Sequence, residues 1–478
     1  MGRLRAPIMD QPRHIHDLAD ELLSEIASFL DPPRVMYTKP NGKSHESSDT
    51  FGEASDLDRF RLVSKRFMRI GTPHRFSRFT LRFSKHGFRR LDQLLEMQLA
   101  CYVKSFTYMV RGFYQGRGWL YIIQELGTKK PTLRVHSRRY REQTELTLDN
   151  HDQSRLRIAF AALTSLQEIT LLKLQDGADT NLFLAMRNHQ TASFTWEPAC
   201  TRAITSLGIA LLNSNSKIRF TAPQISPRAI LNLLHVPAAS LSAMGSHLTS
   251  LDINMLSPPD PANTINSLSP SLHHFFMAAK SLTAIHIGFL SRRPPVLNLD
   301  SMFQHVRRNA LRTLSIQGWR LDASDIIALV RRHTQLRDLR LVEISLRTGL
   351  WRDVLLVLRE ELALEHLELR DIDYDSNTYS PITGADISDS GPFRNLARVP
   401  SPLTVSAGTA EVGSADVPAL RGRRGLLRRD SVEKLRGLAV EDLGDDGMRV
   451  MRRRLPDWEA WVLSPTRRGG RNGRAWNM

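Results

Sequence analysis

Cysteine is nearly missing: the 478-residue chain holds two, Cys101 and Cys200. That excludes a disulfide framework and any zinc site built from cysteines, and it fits a reducing compartment, cytoplasmic, nuclear or both. Long apolar runs are missing as well. None approaches the roughly 18 residues that cross a bilayer, and the stretch from Ile326 to Val330 closes at Arg331-Arg332. The basic beginning, Met1-Gly-Arg-Leu-Arg5, lacks the apolar segment of a secretory leader, and Ala6 stands where a myristoylation signal wants Ser or Thr. Neither leader nor membrane partner is expected. With 41% hydrophobic and 24% charged residues, the composition is that of a folded chain rather than a low-complexity one.

Signatures of chemistry are missing too. The sequence has no Gly-x-x-x-x-Gly-Lys-Ser/Thr phosphate loop, no His-Glu-x-x-His, no Gly-x-Ser-x-Gly elbow and no Gly-x-Gly-x-x-Gly turn. Asp371-Ile-Asp373-Tyr-Asp375 opens like a calcium loop, but Ser376 replaces the required glycine and Ile382 stands where a bidentate Glu belongs. The expectation is a protein that is not an enzyme, with no catalytic residue, metal or cofactor.

Positive charge is what the chain has in excess, at +17. Such an excess invites a nucleic-acid reading, since Lys and Arg displace counterions from phosphates. The excess is dispersed, however: from Ser376 onward 17 basic residues face 12 acidic ones, and the clusters Arg421–Arg424, Arg452–Arg454 and Arg467-Arg468 are short. Solvated basic surface, with a nuclear-import signal among these clusters, is the preferred reading, and nucleic acid is not the expected partner.

Two periodic segments open the chain. Leu18, Leu22, Ile26 and Leu30 recur every four residues, widened by Leu23 and Phe29, with Asp17 placed to cap and Asp31-Pro32-Pro33 to stop the helix. Leu57, Phe60, Val63, Phe67 and Ile70 form a second stripe that Thr72-Pro73 should end. Helices this short bury too little to stand alone and need a partner surface. Leu18-Ala-Asp-Glu-Leu-Leu-Ser-Glu-Ile-Ala-Ser-Phe-Leu30, followed by Leu57-Asp-Arg-Phe-Arg-Leu-Val-Ser-Lys-Arg-Phe67, resembles the F-box, and Thr72-Pro73-His-Arg-Phe76 with Phe79-Thr-Leu-Arg-Phe83 resembles its fungal branch. Two departures stand out: Ala19 replaces the usual proline, and a polar loop, 33–56, is inserted between the helices. The resemblance implies docking on the small adaptor subunit of Skp-cullin-F-box ubiquitin ligases, and so on the cullin indirectly, through Leu18, Leu22, Ile26, Leu30, Leu57, Val63 and Phe67.

Farther on, Leu-x-x-Leu-x-Leu recurs at Leu166, Leu248, Leu282, Leu311, Leu336 and Leu364, the later copies 25 to 34 residues apart, with at most one weak copy hidden near Leu207. A helix over Asp322–His333, with Ile326, Leu329 and Val330 on one face, suggests strand-then-helix units. The region resembles the leucine-rich-repeat class of F-box proteins, which implies a curved parallel sheet with an outer face carrying Asp252, His286, Ser315, Asp338, Arg340, His366 and Glu368. These are either contacts for an unknown protein client or simply the solvated side of a sheet.

The expected fold is α/β, mostly α at the N-terminus: a helical F-box module, an irregular leucine-rich-repeat-like solenoid and a disordered basic tail. The expected divisions are a disordered start at 1–13, the module at 14–75, a connecting helix and strand region at 76–150 and the array at 151–375. A disordered linker at 376–430 and a weakly helical basic tail at 431–478 follow, the tail helix running from Ser431 to Arg454. The expected function is substrate recognition in a ubiquitin ligase. The alternatives are a basic nucleic-acid-associated scaffold or a ligase-independent F-box assembly protein.

Overall fold

Apolar residues at every second position, separated by short helical stretches, dictate a sheet covered on one face by helices. A computed structural model describes residues 14–30, 55–375 and 438–464, apart from 130, 187–191, 213, 215, 233–237, 257–260, 291–295, 297–298, 304–309, 446 and 448. The inserted loop, except its end at 55–56, and the expected linker lie outside the described residues.

Three helices come first, α1 (Asp20–Phe29), α2 (Asp56–Leu62) and α3 (Lys65–Arg75). Then come β1 (Arg78–Arg82), α4 (Lys85–Glu96), β2 (Ser105–Val110), β3 (Phe113–Gly116), α5 (Trp119–Lys129), α6 (Val135–Leu148) and α7 (His151–Ala162). Next are β4 (Glu168–Lys173), α8 (Gly177–Ala185), β5 (Ala192–Thr195), α9 (Trp196–Leu211), β6 (Ile218–Ile225), α10 (Pro227–Asn232) and α11 (Ala238–His247). The chain continues through β7 (Leu248–Leu256), α12 (Pro261–Ala278), β8 (Ala284–Leu290), α13 (Leu299–Phe303), β9 (Thr313–Gln317), β10 (Arg320–Asp322) and α14 (Ala323–Arg332). It closes with β11 (Asp338–Val342), β12 (Ser345–Thr348), α15 (Trp351–Glu361), β13 (His366–Arg370), β14 (Asp373–Tyr374) and α16 (Leu455–Leu463). No helix among the described residues is long and apolar enough to cross a membrane.

The protein is mixed α/β, and its centre is a nine-stranded parallel sheet in the order β1-β2-β4-β6-β7-β8-β9-β11-β13, so each strand lies beside the next in the chain. Phe79, Phe106, Ile169, Leu251, Ile285, Leu314, Leu339 and Leu367 form one buried row across it, facing helices that bury Phe160, Leu207, Phe276, Leu329 and Leu355. At the strand starts a carbonyl of one unit accepts two amides of the next: Ser77 O takes Lys104 N (2.8 Å) and Ser105 N (3.0 Å), and Lys104, Thr283, Arg312 and Arg337 repeat the arrangement.

The sheet begins earlier than the sequence suggests. The region read as a connector, 76–150, supplies β1 and β2, whose Phe79-Thr-Leu81 and Phe106-Thr-Tyr108 put aromatic rings where later strands have leucine. The hidden copy is β6, whereas Leu207 is a buried residue of helix α9. In β6 the register slips by one residue, Ile218 pairing with Leu248 but Arg219 with Ser250, which erases the Leu-x-x-Leu spacing.

Two features bound the sheet. Between its early strands, β3 and β5 pair antiparallel and, with α5, α6 and α8, enclose a second core of Tyr114, Trp119, Ile123, Leu133 and Leu182. At the far end, the described residues of 438–464 pack as a cap rather than a loose tail: Trp458 and Trp461 are buried, and the Arg359 guanidinium lies 4.2 Å from the centre of the Trp461 ring. Glu459 accepts the edge amide of Leu369 (2.6 Å), and Asp445 accepts from Tyr374 Oη (2.6 Å) and Arg352 N (2.9 Å). An open strand edge is thereby closed to other chains. Of the helix expected over Ser431–Arg454, residues 431–437 lie outside the described ones; the described remainder holds no α-helix, and the α-helix of this region is α16. Gly444 and Gly447 turn through positive φ (65° and 73°) between short 3-10 turns at Val440–Leu443 and Arg452–Arg454, which a continuous helix forbids.

Candidate functional site

Two surfaces gather the residues singled out by sequence. The first is the three-helix group. Leu23, Ala27, Leu57, Phe60, Phe67 and Ile70 form a small core separate from the sheet's, with Leu18, Ile26 and Leu30 packed partly against it. Arg66 ties the helices together. Its Nε donates to Asp20 (2.7 Å) and its terminal nitrogens to the carbonyls of His16 (2.5 Å) and Leu18 (2.7 Å), while Arg69 also reaches Asp20 (2.8 Å). The hydrogen bond from Arg66 holds the Asp20 carboxyl below its ordinary pKa. Ser24 Oγ meets His74 Nε2 at 2.9 Å.

Local details differ from expectation. Helix α1 is capped by Ala19, without a side-chain bond, because Asp17 instead accepts from His14 N (3.0 Å) in a preceding turn. The second stripe breaks at Val63-Ser64, where Ser64 Oγ caps α3 by accepting from Phe67 N (3.3 Å). Pro73 does not end α3, which runs on to Arg75; so near the terminus it removes one bond without leaving a long helix to disrupt.

The seven expected docking residues therefore divide. Leu57 and Phe67 are interior, at 0% and 1% exposure, and Leu18, Ile26 and Leu30 are half-buried. Leu22 and Val63 are open, at 49% and 56%. Phe29, Leu62 and Met68, not among the seven, are open as well, at 73%, 81% and 47%. Phe29 lies seven residues from Leu22 and so on the same stripe of α1, where periodicity had placed it without making it a docking residue.

The second surface is the sheet face turned away from the buried row. Its alternate residues form two continuous rows. Thr80, Thr107, Thr170, Thr221, Asp252, His286, Ser315, Arg340 and Glu368 stand in lateral register, beside Arg78, Ser105, Glu168, Arg219, Ser250, Ala284, Thr313, Asp338 and His366. All seven expected client residues lie in these rows, and the structure joins them in pairs. His366 Nδ1 meets Asp338 Oδ1 (2.6 Å), Thr313 Oγ1 donates to Asp338 Oδ2 (3.1 Å), and Arg340 Nε donates to Glu368 Oε2 (2.6 Å). His286 Nδ1 meets Ser315 Oγ (2.7 Å) and its Nε2 meets Asn254 Oδ1 (3.2 Å). Gly288 permits this, since a Cβ there would lie 2.0 Å from Asn254 Oδ1. Burial depresses the His286 pKa; Asp252 opposes the shift and Arg340 reinforces it. The threonines of the early strands were missed, although each occupies the middle of an apolar-Thr-apolar triplet.

Ser315, His286 and Asp252 have the residue types of a nucleophile, a base and an acid, but not the geometry. Asp252 is 3.9 Å from His286 Nε2, which Asn254 already engages, and Ser315 is only 3% exposed. Such a row can present hydrogen-bonding and charged groups to a partner but is not arranged to attack one. Among the described residues no three His, Cys, Asp or Glu side chains are grouped to hold a metal ion. No protein-family model matches the chain, and no curated protein matches it.

Proposed function

We propose that this chain is a substrate-recognition adaptor of a Skp-cullin-F-box type ubiquitin ligase. In this reading α1–α3 are an F-box docked on the adaptor subunit, and the parallel sheet with its helices is a leucine-rich-repeat-like solenoid holding a protein client. The observation that carries the reading is the exposed apolar set Leu22, Phe29, Leu62, Val63 and Met68 on a helical group that already has its own core. Five open apolar side chains on so small a group suit a surface that another protein covers. Leu22 and Phe29, seven residues apart on α1, have the spacing that helix-in-groove docking uses.

Client capture is assigned to the polar rows, with Asp252, His286, Ser315, Asp338, Arg340, His366 and Glu368 at their later end. Side chains already paired to one another present a fixed pattern of charge, and a fixed pattern discriminates partners without a large ordering cost. A client held near a ubiquitin-carrying enzyme gains effective concentration, so the adaptor itself performs no bond chemistry.

Affinity purification of the full chain from cells under proteasome block tests the reading. The adaptor and cullin subunits should co-purify. Recovery of the adaptor without cullin would move the reading to a ligase-independent F-box assembly, and recovery of neither would end it.

A further inference from the structure

The C-terminal ends of β1, β2 and β4 converge on a cavity of about 190 Å³, far from the paired end of the polar rows. In parallel α/β sheets this side of the strands is where ligands are received. Its walls are rich in one residue type: Arg82 at the end of β1, Arg111 just after β2, and Arg138 and Arg139 on α6, with Glu142 the one acidic residue of the lining. Ser84, which caps α4 by accepting from Gly87 N (3.0 Å), lines it too, so the positive end of a 12-residue helix opens beside the arginines.

Two of the arginines are held from behind. Arg139 donates to Asp179 Oδ1 (2.8 Å) and Asp176 Oδ2 (2.5 Å), and Arg111 pairs with Asp176 (2.8 Å) and with Asp179. Asp176 and Asp179 are buried and absent from the lining, whereas Arg111 and Arg139 line it, so the basic member of each pair is the one nearer the cavity. The carboxylates are locked in turn, each accepting the other's backbone amide at 3.0 Å at the start of α8. Arg138 stands at the rim with a side chain 76% exposed and only a 3.9 Å approach to Glu142.

From this arrangement we infer that the cavity is a binding site for a phosphomonoester. A guanidinium has five N–H donors, so those that the aspartates do not take remain for phosphate oxygens, and a side chain already held in place binds without being ordered first. A dianion with three terminal oxygens suits several arginines better than a single carboxylate does. A nucleobase is disfavoured, because the aromatic walls are already engaged: Phe83 packs on Phe113 at 5.2 Å, and Tyr114 on Trp119 at 5.0 Å and Phe194 at 5.0 Å. The phosphate is carried either by a peptide side chain or by a small molecule. The site does not depend on the ligase reading, since it shares no residue with α1–α3 or with the paired rows.

Calorimetric titration of the full chain with inorganic phosphate, a phosphoserine-containing peptide and acetate, at matched ionic strength, tests the inference. Both phosphate probes should bind and acetate should not. A peptide that binds more tightly than inorganic phosphate assigns the source to protein, and equal affinity assigns it to a small phosphate. Arg82→Gln with Arg138→Gln should weaken phosphate binding by at least about tenfold, the loss expected from removing charge-assisted hydrogen bonds. The unliganded variant should still melt cooperatively, because the partly buried Arg111–Arg139–Asp176–Asp179 cluster is untouched. Arg82→Lys with Arg138→Lys, which keeps the charge and removes the forks, should fall between. No heat with either phosphate probe, acetate binding as tightly as phosphate, or undiminished binding by a folded Gln variant would overturn the site.

Discussion

Replacing Leu22 or Val63 by aspartate separates docking from folding, because both side chains are about half exposed while the core beneath them is closed. Fully burying such a side chain is worth about 1.5–3 kcal/mol, so the exposed half of each offers a partner about 1–1.5 kcal/mol. Phe29 and Leu62, at 73% and 81% exposure, offer about 2 kcal/mol each by the same measure. An aspartate removes the gain at its site and places a carboxylate against apolar surface, so Leu22→Asp or Val63→Asp should cost about 3 kcal/mol, about a hundredfold in Kd. Neither change opens the core, so the melting temperature should move by less than about 2 °C. Phe67→Ala behaves in the opposite way. At 1% exposure and packed 4.6 Å from the Phe60 ring, its loss should destabilise the helices by about 3–5 kcal/mol and abolish docking through unfolding. The assay is calorimetric titration of each full-length variant with purified adaptor subunit, paired with circular-dichroism melts. Undiminished affinity in both aspartate variants would refute the assignment of this surface.

Three further outcomes follow from the geometry. Trp458→Ala should lower stability by about 3–5 kcal/mol and promote association through the uncovered β13 edge, measurable by denaturant titration and light scattering, since the ring is 1% exposed. Gly318→Ala should destabilise by more than about 2 kcal/mol, because a Cβ at φ 71° would stand 2.3 Å from the Phe289 carbonyl oxygen; Glu343→Gly, at the same place in the next unit (φ 54°), should be neutral or stabilising in the same melts. Stability should fall as pH drops through about 6.5. Burial holds His136 and His286 below their ordinary pKa, so the unfolded chain takes up the protons first. His286→Gln should make that decline shallower in denaturant titrations between about pH 7 and pH 5, and an unchanged slope would remove His286 as a contributor.

The mixed α/β class was legible because Leu248, Leu282, Leu311, Leu336 and Leu364 each open an apolar alternation that burial of one sheet face demands. The first strands were not, because Phe79, Phe106 and Tyr108 fill leucine positions with larger rings and β6 drops a residue within the spacing. Backbone register is decided by neighbouring strands, which a single unit's sequence does not contain. The cap escaped for a different reason: Arg452-Arg453-Arg454 dominates the local composition, while the burial that matters comes from Trp458 and Trp461 just beyond it. At the helical group the stripe was visible, but Leu22 beside Leu23 and Ile26 beside Ala27 give it a breadth exceeding what α3 covers. Only packing shows which edge stays open.

Helix α3 and strand β1 are separated by Phe76 and Ser77 alone, and Ser77 is itself fastened to Lys104 and Ser105 at the start of the neighbouring strand. The junction therefore behaves as a ruler and not as a leash. Anything gripping the front of the molecule stands at one distance and one angle from anything resting on the sheet, and a few residues spliced in between Arg75 and Arg78 would turn a measuring device into a tether.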